Sequence, residues 1–366
     1  MSERSVVIAC GGTGGHLLPG IAVAEELRRR GKEILLLLSE KQIDRTALEG
    51  EEKFPWETLP AIGWPGGLSG KTPAFFWRLG SSWRKCGSLF RRLAPGAVLG
   101  MGGFISAAPL LVAKRRQIPT LLHESNAVPG LVTRILSHKV DRVLLGFPEC
   151  KKRLPGIPSI VTGTPLRARL RRVPRDEAAK ALGAAPDRST ILVLGGSQGA
   201  HALNRLLGDA APALARGGSP VQVLHLSGPA DREACAAAYR AQGIPAVVES
   251  FSHRMDLFYS LADVAVARAG AATLAEVAFY ALPAILVPFP FAADDHQRIN
   301  AKAFVAAGAG LAYDQAALSG EILAERLLEI LRDERRRRAM AAAAAGLARP
   351  EAAKAVADEV EKCMQH

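Results

Sequence analysis

The chain alternates short apolar runs with stretches whose apolar residues recur every three to four positions. Val6, Val7 and Ile8 form a β-branched run that predicts a buried strand, and Leu17, Ile21, Ala24 and Leu27 then recur at helical spacing. Residues 34–38 and 97–100 read as further strands, the second followed by a helix to 114, and short strands follow at 120–122, 142–145 and 159–162. The second half repeats the plan, with a strand at 190–194 and a helix through Leu203, Leu206 and Leu207. Strands at 221–226, 246–248, 263–267 and 284–287 then alternate with helices at 230–242, 254–261, 271–280 and 296–307, and the tail from Glu321 is helical. Such alternation predicts parallel sheets with right-handed crossovers. The expected fold is α/β, two similar domains facing one cleft, with the charged, irregular stretch between 163 and 188 as the hinge.

Each series opens on the same unit: strand, glycine loop, helix. Four glycines fall within residues 11–15, and Gly195, Gly196 and Gly199 hold the corresponding place in the second half. A strand entering a helix through glycines leaves free backbone N–H groups at the positive end of the helix dipole, which suits a phosphate or another anion. His16 stands in the first turn beside this opening. Neither loop is G-x-G-x-x-G, and G-x-x-x-x-G-K-[ST] is absent, which weakens dehydrogenase and P-loop readings.

Composition narrows the class. With 366 residues, 49% of them hydrophobic, the chain has material for two cores. The first strand begins too early for a signal peptide to precede it, and no apolar stretch approaches the length that spans a bilayer. Five scattered cysteines, none in a C-x-x-C pair, argue against a disulfide framework or zinc site and suit a reducing cytoplasm. The net charge of +12 points to an anionic partner.

That charge has a focus. Between Thr58 and His123 there is no Asp or Glu, while Lys71, Arg78, Arg84, Lys85, Arg91, Arg92, Lys114, Arg115 and Arg116 are all cationic. All four tryptophans lie between Trp56 and Trp83, joined by Phe75, Phe76 and, a little further on, Phe90. Tryptophan beside lysine and arginine is the composition of a surface that meets anionic lipid. A single-stranded nucleic-acid platform also combines these residue types, and some of the aromatics are expected in the core. The anionic membrane surface is the favoured partner; no nucleic acid is expected.

The chemistry of the second half is more specific. In Arg268-Ala269-Gly270-Ala271-Ala272-Thr273-Leu274-Ala275-Glu276, small residues open a helix after a strand, so backbone amides are free for a pyrophosphate. Glu276, further along, can accept hydrogen bonds from sugar hydroxyls, and Asp294-Asp295-His296-Gln297 opens the next helix with groups able to read a hexose. No D-x-D occurs, so a metal-carrying sugar-nucleotide site is not indicated, and a leaving diphosphate must be met by dipoles, Ser197 and Arg167.

The stretches GGTGGHLLPG, GMGGF, HESN, GTPLR, GGSQGAHALN, ARAGAATLAE and ADDHQRINA occur in this order across residues 6–309. Together they resemble the MurG family of bacterial N-acetylglucosamine transferases. The resemblance implies a GT-B fold, in which two Rossmann-like parallel-sheet domains face a cleft. It implies an N-terminal acceptor- and membrane-binding domain at 1–163, a UDP-GlcNAc-binding domain at 164–345, and a tail helix at 346–366 that rejoins the first. The implied reaction is inverting, independent of metal and of any cofactor. It moves GlcNAc from UDP-GlcNAc to the MurNAc 4-hydroxyl of undecaprenyl-pyrophosphoryl-MurNAc-pentapeptide, lipid I to lipid II of peptidoglycan synthesis. The implied location is peripheral, at the cytoplasmic face of the bacterial inner membrane, with other cell-wall synthesis proteins as candidate partners.

On the same resemblance His16 is the candidate catalytic base and Glu124 a second candidate catalytic residue, with Asn126 beside it. Thr13, Gly14 and Gly15 lie near the acceptor diphosphate. Arg167, Ser197 and the amides of Gly270, Ala271 and Ala272 meet the nucleotide, with Thr273 next in the substrate-binding set. Glu276 takes the ribose, His296 and Gln297 the GlcNAc hydroxyls, and Phe251 and Met255 flank uracil. Ala269 stands where many relatives carry Ser, and Ser125 where some carry Gln, so Ser125 is given no role. The residues leave second roles open. Glu124 could cap the following helix, and His16 could be structural, although a helix N-terminus does favour the neutral imidazole that a base requires. The rival activities are a UDP-sugar epimerase of the same fold and another lipid-acceptor glycosyltransferase; the non-enzymatic rival is a basic membrane- or nucleic-acid-binding module.

Overall fold

The computed structural model describes residues 5–12, 14–40, 54–60, 72–196 and 199–365. The chain divides into two units, Met1–Ala168 with Arg349–His366, and Arg169–Ala348. The division falls after Ala168, so the GTPLR motif with Arg167 belongs to the first unit and not to the nucleotide-binding part in which it was expected.

The first unit is a seven-stranded parallel sheet in the order β3-β2-β1-β4-β5-β6-β7. Its strands are β1 (Ser5–Ala9), β2 (Glu33–Ser39), β3 (Trp56–Leu59), β4 (Ala97–Gly100), β5 (Thr120–Glu124), β6 (Arg142–Leu145) and β7 (Ser159–Val161). Among the described residues between its strands, its helices are α1 (Gly14–Arg29), α2 (Thr72–Leu93), α3 (Ala107–Arg115) and α4 (Leu131–Leu136). Alternation along the buried strands sorts side chains to the two faces. Val6 and Ile8 meet Leu17, Ile21 and Leu27 of α1 on one side, whereas Val7 and Ala9 join Leu89, Phe90 and Leu110 on the other.

The second unit repeats this topology with six parallel strands in the order β10-β9-β8-β11-β12-β13. They are β8 (Ser189–Leu194), β9 (Val221–Leu226), β10 (Ala246–Glu249), β11 (Val264–Ala267), β12 (Ala284–Leu286) and β13 (Gly310–Ala312). Around them run α5 (Arg175–Leu182), α6 (His201–Arg216), α7 (Arg232–Ala241), α8 (Met255–Leu261), α9 (Ala271–Phe279), α10 (His296–Ala306), α11 (Gly320–Arg332) and α12 (Glu334–Leu347).

The last helix, α13 (Ala352–Met364), returns to the first unit. Val356, Ala357, Val360 and Cys363 are buried against the α1 side of the sheet, and each buried valine contributes roughly 1.5–3 kcal/mol. Arg30 pins the contact, donating to Asp358 at 2.6 Å and Glu361 at 2.7 Å.

The basic, aromatic stretch resolves into α2, an amphipathic helix that its composition had hidden. Phe75, Ser82, Cys86, Leu89 and Phe90 are buried at helical spacing, while Phe76 and Trp77 are 56% and 70% exposed. Phe75 is one of the aromatics that belong to the core, packing edge-on against Phe104 at 5.7 Å. Lys85 and Arg92 are drawn to Glu57, at 2.9 and 3.5 Å, which leaves Arg84 and Arg91 as exposed cations beside the aromatics. Trp64 and Lys71 lie outside the described residues. Among the described residues, no helix is long and apolar enough to cross a membrane.

Candidate active site

In each unit the first strand of the series lies beside the fourth, where the strand order reverses. The carboxyl edge at such a reversal is the usual ligand site of an open parallel sheet. In the first unit the loops after β1 and β4 meet there. The Met101 N–H donates to the Ala9 carbonyl at 2.8 Å, which brings the GMGGF loop beside the start of α1. Gly14, Gly15 and His16 are the first three residues of α1; Thr13 lies outside the described residues.

The half-buried His16 ring rests on Gly102 and Gly103. A Cβ on Gly102 would stand 3.3 Å from Nε2, and one on Gly103 would stand 3.1 Å from Cε1. Both glycines have positive φ, 91° and 68°, so a side chain there would be strained as well as crowded. Beneath them His123 is fully buried, its Nε2–H donating to the Gly163 carbonyl at 2.9 Å. Burial holds the His123 pKa below its ordinary value, and the nearby His16 pushes in the same direction.

Glu124 is 3% exposed and accepts four hydrogen bonds. The Asn126 N–H and Nδ2 donate to Oε1 at 3.0 and 3.2 Å, and the Gly130 N–H and Thr133 hydroxyl donate to Oε2 at 3.0 and 2.6 Å. Gly130 is the N-cap of α4. Four partners occupy the acceptor sites of a carboxylate, so this is the bonding of a helix cap that also orients Asn126. Arg167 is buried, at the end of the segment that follows β7.

In the second unit the glycine loop follows β8. Gly199 has φ 77°, and a Cβ there would lie 2.2 Å from the Ser227 carbonyl oxygen, so only glycine lets this loop approach β9's end. Ser197 lies outside the described residues. After β11, Gly270 is the N-cap of α9 and brings no capping side chain of its own, so the first amides, Ala271, Ala272 and Thr273, stand at an N-terminus suited to an anion. Glu276, buried in the second turn, accepts from the Tyr259 hydroxyl at 2.6 Å, and Tyr259 stacks on Tyr280 at 4.9 Å. Tyr259 belongs to α8, the helix that Met255 begins; exposed Phe251, before it, meets His253 edge-on.

His296 and Gln297 open α10, after β12. The His296 Nδ1 lies 2.7 Å from the Ala293 carbonyl and must carry the proton, which leaves Nε2 as an acceptor when the ring is neutral. The Gln297 Oε1 accepts from the Phe289 N–H at 2.9 Å, which turns its Nε2 donors away from the backbone.

Three supporting groups carry little signal in the sequence. Asn300 is fully buried and donates to the Ala269 carbonyl at 3.1 Å, locking α10 to the loop that starts α9. Arg268 is buried, donating to Val287, Pro288 and Gln315, and burial lowers its pKa. His225 donates from Nε2 to Asn204 at 3.0 Å and meets the Tyr239 hydroxyl at 2.9 Å; Asn204 in turn donates to the Ser227 carbonyl at 2.8 Å, behind Gly199. Asn204 and Asn300 stand inside quoted motifs, but only the fold shows which backbone they brace.

The description "Glycosyltransferase family 28 N-terminal domain" matches residues 6–145, and "Glycosyltransferase family 28 C-terminal domain" matches residues 190–356. The chain belongs to glycosyltransferase family 28. Within that family it is 41% identical over 375 residues to the UDP-N-acetylglucosamine–N-acetylmuramyl-(pentapeptide) pyrophosphoryl-undecaprenol N-acetylglucosamine transferase of Halorhodospira halophila, with 99% of each chain covered. It is 37% identical to the protein of the same name from Geobacter sulfurreducens, with 97% of each covered. The crystal structure of Acinetobacter baumannii MurG matches with a TM-score of 0.77 and 29% identity, covering 98% of this chain and 99% of that one. A UDP-N-acetylglucosamine 2-epimerase structure matches at 15% identity and a TM-score of 0.71, a likeness of fold alone. Family 28 membership makes this chain a glycosyltransferase of the GT-B type.

Proposed function

We propose that this family 28 enzyme catalyses the reaction for which its relatives are named: GlcNAc moves from UDP-GlcNAc to the MurNAc 4-hydroxyl of undecaprenyl-pyrophosphoryl-MurNAc-pentapeptide, lipid I becoming lipid II. One observation carries the donor assignment. Along the carboxyl edge of the second sheet, the candidate uracil residues follow β10, the candidate diphosphate amides follow β8 and β11, and the candidate hexose residues follow β12. Base, diphosphate and hexose are also the order of groups along UDP-GlcNAc.

In the proposed reaction His16 takes the proton of the acceptor hydroxyl, the hydroxyl oxygen bonds to the donor's C1, and the C1–phosphate oxygen bond breaks with inversion. The electron pair leaves with UDP, whose charge is met by the α9 amides and Ser197. Glu124 positions Asn126 and α4 without moving a proton. The first unit takes the acceptor, whose pyrophosphate lies at the bilayer surface. The protein docks there peripherally, at the cytoplasmic face, through Phe76, Trp77 and Trp83 with Arg84 and Arg91, all exposed on α2.

Donor choice tests the reading. A site that hydrogen-bonds one sugar hydroxyl rejects the epimer that misplaces it. UDP-GlcNAc is therefore expected to be used at least tenfold better than UDP-GalNAc, measured as kcat/KM, and the ratio is expected to shrink in Gln297→Ala. Equal turnover of both donors by the wild type would remove Gln297 from the site.

A further inference from the structure

The loop between β12 and α10 carries two phenyl rings that neither the core nor the reading above uses. Phe291 is 83% exposed and Phe289 is 42% exposed, and their rings meet edge-on at 5.6 Å. Scattered exposed apolar residues are ordinary, but this pair is held in place. The Phe289 N–H donates to Gln297, the buried Arg268 guanidinium lies 5.6 Å from the Phe289 ring centre, and Arg268 also binds the Val287 and Pro288 carbonyls. Asn300 then fixes α10 to the start of α9. Between Phe291 and His296, Asp294 and Asp295 both take left-handed backbone, φ 51° and 53°, a strained conformation that persists only where its surroundings impose it.

The rings thus stand on the segment that also presents the His296 Nε2 acceptor and the Gln297 Nε2 donors. Those polar groups suit the hydroxyls of a hexose, but a pyranose also has a face of C–H bonds that no polar group recognises. An aromatic ring is its natural complement, being apolar with a negative face toward polarised C–H. We propose that Phe291, backed by Phe289, packs against the C–H face of the donor's hexose and so adds affinity for UDP-GlcNAc over free UDP. This rests on the reading that the second unit binds UDP-GlcNAc.

The test compares the wild type with Phe291→Ala and Phe291→Tyr as full-length proteins, with dissociation constants for UDP and UDP-GlcNAc from calorimetry and KM for both substrates from turnover. Phe291 is exposed, so melting temperatures are expected to be unchanged. In Phe291→Ala, UDP-GlcNAc is expected to bind about 5- to 30-fold more weakly, the range for losing part of an apolar side-chain contact, with UDP affinity within twofold of wild type. Phe291→Tyr is expected to restore the donor. Unchanged UDP-GlcNAc affinity in Phe291→Ala overturns the inference, as does an equal loss of UDP, or an effect confined to the acceptor KM. Binding of UDP-GlcNAc by the wild type separates these outcomes from failure of the donor reading, because a wild type that does not bind it overturns both.

Discussion

The imidazole of His16 is seated on Gly103: a single added methyl there would lie 3.1 Å from Cε1 and 3.2 Å from Nδ1. The base candidate is therefore aimed by the backbone of a different loop. His16→Ala is expected to lower kcat by about 10²- to 10⁴-fold, the range for losing a general base. Gly103→Ala is expected to lower kcat at least tenfold while leaving UDP affinity alone, because the ring moves and the second unit does not. Steady-state kinetics with UDP calorimetry decide it, and wild-type kcat in Gly103→Ala would count against the seat.

Glu124 offers a contrast. Its four donors make Glu124→Gln a structural change, since an amide puts an NH2 where two donors point. The expected cost is about 1–3 kcal/mol, read as a lower melting temperature, with activity per folded molecule reduced less than tenfold. An unchanged melting curve with a collapsed kcat would return Glu124 to the chemistry.

Stability also depends on His225. Burial pulls its pKa down to about 4, while an unfolded histidine titrates near 6.5. Between these values the unfolded state binds the extra proton, so stability is full above about pH 6.5 and falls as the pH drops toward 4. The loss is up to about 3 kcal/mol. Denaturation of wild type and His225→Phe at pH 7.5 and pH 5 isolates this residue, and the variant is expected to show the smaller difference between the two pH values. Equal pH dependence would contradict it.

Membrane contact can be tested on α2 with variants chosen from its bonding. Lys85 and Arg92 are occupied by Glu57, so the informative change is Arg84→Ser with Arg91→Ser, adding Trp77→Ala separately. Each cation near an anionic surface contributes about 1 kcal/mol. The double variant is therefore expected to bind anionic vesicles roughly 10- to 30-fold more weakly in co-sedimentation. Turnover of a water-soluble acceptor should be unaffected, and wild-type vesicle binding would remove α2 from the contact.

The strands and glycine loops were legible because their signals are local: Val6 to Ile8 and Thr190 to Leu194 are apolar runs ended by glycines. What stayed hidden depends on tertiary packing. In α2 the core spacing of Phe75, Ser82, Cys86 and Leu89 is helical, but Ser82 and Cys86 are weak apolar signals among the dense arginines and tryptophans. β13 is three residues long, and α4 depends on a cap supplied by Glu124 from the end of β5. The site shows the same limit. His16, Glu276 and Gln297 stand out as residue types in motifs. Gly103 under His16, Tyr259 behind Glu276 and Asn300 joining α10 to the loop before α9 are separated from their partners by 87, 17 and 31 positions, and only the fold brings them together.

The central claim is that sugar moves to a lipid-linked acceptor, and UDP release measures it most directly. The protein is supplied with saturating UDP-GlcNAc in EDTA, with and without a prenyl-pyrophosphoryl-MurNAc-pentapeptide. Release is expected only with the acceptor, one UDP for each disaccharide formed, and unaffected by the chelator because the leaving diphosphate is met by backbone amides. UDP release that does not need the acceptor, or that yields no disaccharide, would contradict the assignment and favour an epimerase-type reaction on the same fold.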